Sequence, residues 1–148
     1  MNVLVLHGPN LNMLGSREPD IYGSERLDEV DAKMTHAGVE LGVTVETFQS
    51  NHEGELIDRI QASTHVDGFV VNPGGLTHTS VSLRDAFLAM DKPVVEVHCS
   101  NPAAREDFRQ QSLIADVAVG TVAGFGPASY VLGVHGLVEH LRRVKSSS

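Results

Sequence analysis

The sequence predicts an α/β fold of the flavodoxin-like type, a doubly wound, five-stranded parallel sheet flanked by helices. Three observations carry that prediction. Strand-like and helix-like segments alternate along the 148 residues, as a parallel sheet with crossover helices requires. The strand-like runs are short, rich in valine and mostly without polar alternation, the pattern of strands buried on both faces. Connections between most elements are short.

Taken in order, Val3–Leu6, Val43–Phe48, Gly68–Val71, Val94–Val97 and Val117–Val122 read as the strands. Leu27, Val30, Met34, Ala37 and Leu41 recur at spacings of three and four, which places them on one face of a helix. Ser24 is the expected N-cap of that helix, with Glu25, Asp28 and Glu29 near its positive end. A second helix is expected over Glu53–Ser63, with Leu56, Ile57 and Ile60 inward, and a third over Ser80–Met90, through Val81, Ala86, Phe87 and Met90. The last, Ala128–Arg143, ends in basic residues that suit a helix C-terminus, and the Lys145–Ser148 tail is expected to fray. No internal repeat or composition break divides residues 1–148, which read as one domain.

Composition narrows the class. With 41% hydrophobic residues the chain can bury a sizeable core. No apolar run approaches the roughly 20 residues of a spanning helix, and Met1-Asn2 opens no signal-peptide pattern. A single cysteine, Cys99, excludes an intrachain disulfide framework and fits a reducing cytoplasm. The net charge of −8 argues against nucleic acid as a partner. An anionic ligand would need local arginines.

In doubly wound sheets ligands bind beyond the carboxyl ends of the strands. The first strand exits into Gly8-Pro9-Asn10 and a long loop to Gly23, rich in glycine and proline, that holds Arg17 and Tyr22. An arginine close to a phenol favours the phenolate, so Tyr22 is a candidate base; a surface loop with a solvated Arg17 fits the segment equally well. The third strand exits into Asn72-Pro73-Gly74-Gly75-Leu76-Thr77-His78, which offers a side-chain amide and accessible backbone N–H groups. It is either a small-molecule binding loop or a Gly-rich turn into a helix. The fourth strand ends in Glu96-Val97-His98. Residues two apart on a strand share a face, so the carboxylate can orient the imidazole and favour its protonated, acid form. A structural His–Glu pair is the alternative. Arg105 and Arg109, four apart, would share a helix face near this exit.

Other chemistries fit poorly. Cys99 adjoins His98 and so points to the opposite face, which disfavours a thiol nucleophile. No CxxC, HxxH or HxxxH pattern points to a metal. The lysines, Lys33, Lys92 and Lys145, fall outside the rim segments, which disfavours a Schiff base. No P-loop or GxGxxG is present, and Gly124-Phe125-Gly126 reads as a strand-to-helix turn. The first and third strand exits lack the acidic residues of a phosphoaspartate receiver.

Together these segments resemble the type II dehydroquinases (3-dehydroquinate dehydratases). The resemblance rests on Gly-Pro-Asn-Leu-Asn-Met-Leu-Gly-Ser-Arg-Glu-Pro-Asp-Ile-Tyr-Gly at 8–23 and on Gln49-Ser-Asn-His-Glu-Gly54. Asn72-Pro-Gly-Gly-Leu-Thr-His-Thr79, Val95-Glu-Val-His98 with Ser100-Asn101, and Ala104-Arg-Glu-Asp-Phe-Arg109 follow in the same order and spacing. It covers nearly the whole chain. It implies a flavodoxin-like fold, a homododecamer built from trimers, no cofactor, and anti elimination of water from 3-dehydroquinate through an enolate. Tyr22 would be the proton acceptor, Arg17 the residue that lowers its pKa and stabilises the transition state, and His98 the proton donor oriented by Glu96. Asn10 would hold a water against the enolate oxygen. The backbone N–H groups of Cys99 and Ser100, with Asn72, would bind the substrate carboxylate, while His78 and Arg109 would bind ring hydroxyls. Asp85 would reach the site of a neighbouring subunit.

A tyrosine that titrates near 10 must come down about three pKa units to be half ionised at neutral pH, worth about 4 kcal/mol. One arginine supplies roughly one to three of these, so a further contribution is expected. Two stretches depart from the family pattern. Ala103 stands where the family usually has histidine, and Gln110-Gln111-Ser112-Leu113-Ile114-Ala115 replaces the usual His-x-Ser-Tyr-x-Ser. Rival readings on the same scaffold are a lyase for another cyclic hydroxy-ketoacid and an inactive anion-binding module. Intact Tyr22, Arg17 and His98 weigh against the second.

Overall fold

Side-chain parity along the first strand organises the molecule. In the structure, a computed structural model that describes residues 1–16, 18–22 and 24–147, the strands are β1 (Asn2–His7), β2 (Thr44–Gln49), β3 (Gly68–Asn72), β4 (Val94–His98) and β5 (Gly120–Ala123). All neighbours pair in parallel, in the order β2-β1-β3-β4-β5. This is the flavodoxin-like order, whose switch point lies between β1 and β3. The helices are α1 (Pro19–Tyr22), α2 (Leu27–Leu41), α3 (Glu53–Ala62), α4 (Val81–Met90) and α5 (Ala128–Ser146).

Val3 and Val5 point to one face of the sheet, where they pack with Val70, Val95 and Val97 against Val30 and Met34 of α2 and Tyr130, Val134 and Leu137 of α5. Leu4 and Leu6 point to the other, with Phe69, Val71 and Val94, against Leu56 and Ile60 of α3 and Leu83, Ala86 and Phe87 of α4. The period of two in β1 therefore separates two cores. Extending the same parity puts His7 and Asn72 on the α2/α5 side, and Glu96 and His98 on the α3/α4 side.

Element ends differ from the sequence reading for local reasons. The first long helix starts at Leu27, and Arg26 rather than Ser24 occupies its N-cap position, its N–H donating to Glu29 Oε1 at 3.3 Å. Ser80 caps α4 by accepting from Leu83 N at 2.8 Å. The fifth strand begins only at Gly120, because residues 114–119 turn to bring Val119 N to Val94 O at 2.8 Å. The last helix continues to Ser146, so Lys145 and Ser146, assigned to the tail by sequence, are helical. Gly124 and Gly126, with φ of 97° and 63°, make the turn from β5 into α5. The 8–23 segment holds a 3-10 turn at Leu11–Met13 and the single turn α1. Among the described residues no helix is long and apolar enough to cross a membrane.

The switch point closes through one glycine. Gly8 N donates to Asn72 O at 2.8 Å, and a Cβ on Gly8 would lie 2.6 Å from the Pro73 carbonyl carbon. Gly8→Ala is therefore expected to lose about 1–3 kcal/mol of stability. Gly54→Ala, in α3 with open space around it, should be neutral or gain up to about 1 kcal/mol. Urea unfolding midpoints of both variants check the contrast, and equal effects contradict it.

Candidate functional site

A pocket of about 180 Å³ opens at the exits of β1, β3 and β4. Asn10, Asn72, His78, His98, Ser100 and Arg109 line it, together with Cys99 and Arg105. It lies at the switch point where the strand order reverses, the position at which such sheets bind ligands.

Glu96 is the most constrained member of this region. Its side chain is 1% exposed, and a buried carboxylate is costly without donors. Thr77 Oγ1 and Ser112 Oγ donate to it, the latter at 2.8 and 2.9 Å. His98 Nε2 lies 2.6 Å from its Oε2. Burial, the largest influence, pushes the carboxyl up, but the hydrogen bonds from His98 and Thr77, the His98 charge and Ser112 together hold it below its ordinary 4.5. With Glu96 ionised, His98 Nε2 carries the proton between them, which leaves Nδ1 as the ring atom free to serve a ligand.

The remaining lining residues are held by their own loops. Asn10 adopts the left-handed conformation at φ 71°, and its N–H donates to Asn51 Oδ1 at 3.0 Å. Gln49 Nε2 ties that segment down by donating to Gly8 O at 3.2 Å and Asn51 Oδ1 at 3.1 Å. Asn72 Oδ1 accepts from Gly74 N at 3.1 Å, and Asn72 Nδ2 donates to Tyr130 Oη at 2.9 Å. His78 donates from Nδ1 to Gln111 O at 2.7 Å, which fixes its tautomer. Arg109 Nε pairs with both oxygens of Glu106 at 3.2 Å, and Arg105 Nη1 donates to Ser100 Oγ at 3.2 Å.

Arg105 and Arg109 share the pocket, though not by the route expected. No helix carries them. Pro102–Ala104 and Asp107–Arg109 form separate 3-10 turns, with Arg105 extended between them at φ −108° and ψ −162°. The Asn101 side chain caps the first turn at Ala103 N, 3.3 Å away. Gln110 clamps the same turn, donating to Ala103 O at 3.1 Å and Arg105 O at 3.3 Å. Both departures from the family pattern, Ala103 and Gln110, thus meet in one turn.

The Cys99 thiol is buried, and burial first, with the Glu25 charge, pushes it up to about 12. It is a poor thiolate nucleophile. None of the three lysines lines the pocket. Asp85 is exposed on α4 and outside the pocket of its own chain. Arg17 and the side chain of Tyr22 lie outside the described residues.

Sequence reasoning missed Thr77 and Ser112, whose hydroxyls gain their role only when the chain brings them to Glu96. It also missed His7, fully buried between Tyr130 Oη at 2.9 Å and Asp31 Oδ1 at 2.8 Å. The signal was present in the parity Val3-Val5-His7, which directs the imidazole into the α2/α5 core.

Glu96 makes acid stability testable. Its folded pKa lies below 4.5, so its stabilisation is complete above the unfolded value and is lost as pH falls through the folded one. The stability difference between the wild type and Glu96→Gln, from urea midpoints at neutral pH downward, should therefore shrink only below about pH 4.5. A difference that grows on acidification contradicts the assignment.

Comparison with known proteins places this geometry. A family model described as dehydroquinase class II matches residues 1–138. A 3-dehydroquinate dehydratase of Geotalea daltonii is 50% identical over 144 residues, covering 97% of this chain and 100% of that protein. One of Desulforudis audaxviator is 54% identical over 148 residues, covering 99% of each. The crystal structure of a type II dehydroquinase from Butyrivibrio crossotus superposes with a TM-score of 0.90 at 40% identity, covering 93% of this chain and 97% of that one.

Proposed function

The chain belongs to the class II dehydroquinase family, and we propose how its residues carry out the dehydration of 3-dehydroquinate to 3-dehydroshikimate. Tyr22, as phenolate, removes the proton from the carbon next to the ketone, and Arg17 favours that phenolate. The electron pair passes into the carbonyl as an enolate, whose oxygen faces a water held by Asn10. On collapse of the enolate the hydroxyl leaves with a proton from His98, so water departs and a conjugated enone remains. No electron carrier is required.

The observation that carries this reading is the Glu96 carboxyl group 2.6 Å from His98 Nε2 at the rim of the pocket. A carboxylate in that place fixes the tautomer and orientation of the imidazole, which a general acid needs. Asn72, with the backbone of Cys99 and Ser100, faces the same space and suits the substrate carboxylate, while His78 and Arg109 suit its hydroxyls. The exposed position of Asp85 supports a contribution to a neighbouring subunit, within a cytoplasmic homododecamer built from trimers.

Mixing the protein with 3-dehydroquinate should produce the ultraviolet absorbance of the enone, and its absence at micromolar enzyme contradicts the reading. Tyr22→Phe should lower kcat by roughly 10²–10⁴-fold while substrate still binds. Near-wild-type turnover removes Tyr22 from the role of base. Borohydride added with substrate should leave the enzyme active, because no imine forms; inactivation contradicts this mechanism.

A further inference from the structure

Behind Asn72, on the α2/α5 side of the sheet, four side chains from four elements form one hydrogen-bonded file, buried except at its outer end. Asp31 of α2 meets His7 of β1 at 2.8 Å, His7 meets Tyr130 of α5 at 2.9 Å, and Tyr130 meets Asn72 of β3 at 2.9 Å. His7 and Tyr130 are both fully buried, and their rings stack edge to face with centroids 4.9 Å apart. Asp31 is the outer end, its side chain 28% exposed, and it lines a separate cavity with Asn12, Ser24 and Asp28.

Donor inventory gives the file a direction. Asn72 Nδ2 can only donate, so Tyr130 Oη accepts there. The Tyr130 phenol, pushed far above its ordinary 10 chiefly by burial, keeps its proton and gives it to His7 Nδ1. Nδ1 must then be the acceptor, which puts the imidazole proton on Nε2, facing the Asp31 carboxylate. Every hydrogen bond from Asn72 to Asp31 thus runs the same way. We propose that Asp31, His7 and Tyr130 are positioning residues: their one-way chain selects which end of the Asn72 amide faces the substrate. The chain takes one N–H of the amide, and Gly74 N takes one lone pair of its oxygen. The second N–H is left to meet an anion. A flipped amide would present oxygen to that anion and set two donors, Gly74 N and Asn72 Nδ2, against each other.

This rests on Asn72 binding the substrate carboxylate, and the test separates the two claims. Long-range ¹H–¹⁵N spectra of the unliganded protein, with the imidazole assigned by comparison with His7→Asn, read the tautomer without turnover. The chain requires Nε2–H with a bare Nδ1, and a protonated Nδ1 overturns it. Tyr130→Phe keeps the ring but loses the acceptor, and should raise KM for 3-dehydroquinate about three- to tenfold, with kcat within about twofold. His7→Leu should do the same. His7→Asn, whose amide oxygen can reach the place of Nδ1, should restore KM to within about twofold of wild type. In an Asn72→Ala background Tyr130→Phe should add nothing to KM. An additive effect there, with Nε2–H observed, means that the chain is structural and overturns the positioning claim. A wild type without turnover removes the functional reading instead, while the tautomer still stands or falls by the spectrum.

Discussion

The need to satisfy one buried anion shapes the active rim. Glu96 sits midway along β4 with 1% of its surface exposed, where an unpaired carboxylate would cost several kcal/mol. Water does not solvate it there, so side chains must. Thr77 and Ser112 come from segments 35 residues apart and also lie 3.0 Å from one another. Drawing both to one carboxylate pulls the β3–α4 turn and the 110–116 segment onto β4. Leu113 N then reaches Thr77 O at 2.7 Å, Arg84 Nη1 ties Leu113 O at 2.9 Å, and Ile114 becomes fully buried in the α3/α4 core. His78, anchored on Gln111 O, takes its place in the pocket from the same arrangement.

The sheet divides the supporting chemistry between its faces. Glu96 and His98 share the face covered by α3 and α4, while Asn72 shares the other face with His7 and Tyr130. The pocket collects both sets because parallel strands end together on one rim, and Gly8 lets the β1 and β3 exits touch. The Glu96–His98 and Asn72–Tyr130–His7 sets are thus held by separate side-chain hydrogen bonds and meet at one pocket. A change in one network need not disturb the other, a separability that a single shared network would lack.

Much of this was legible in the chain. Short valine-rich runs and the three-four spacing of Leu27, Val30, Met34, Ala37 and Leu41 encode the α/β architecture, because burial on two faces leaves little choice of residue. The common face of Glu96 and His98 follows from their separation by two. Ends of elements were less legible. The segment carrying Arg105 and Arg109 broke into two turns because Asn101 and Pro102 favour a short capped turn over a continuing helix. The His7–Tyr130 contact joins residues 123 apart in sequence, and no local pattern announces it. Thr77 and Ser112 are small hydroxyl residues whose meaning depends on what the fold places opposite them.

The arrangement at the rim depends on Glu96 being an anion although it is buried. Carbon-13 NMR of protein labelled at the glutamate δ-carbon, with the Glu96 resonance identified by its loss in Glu96→Gln, measures this directly. The expected result is an ionised carboxylate at neutral pH that stays ionised on acidification until below 4.5. A protonated Glu96 at neutral pH would contradict it, since a neutral carboxyl would not need the donors that Thr77, Ser112 and His98 gather around it.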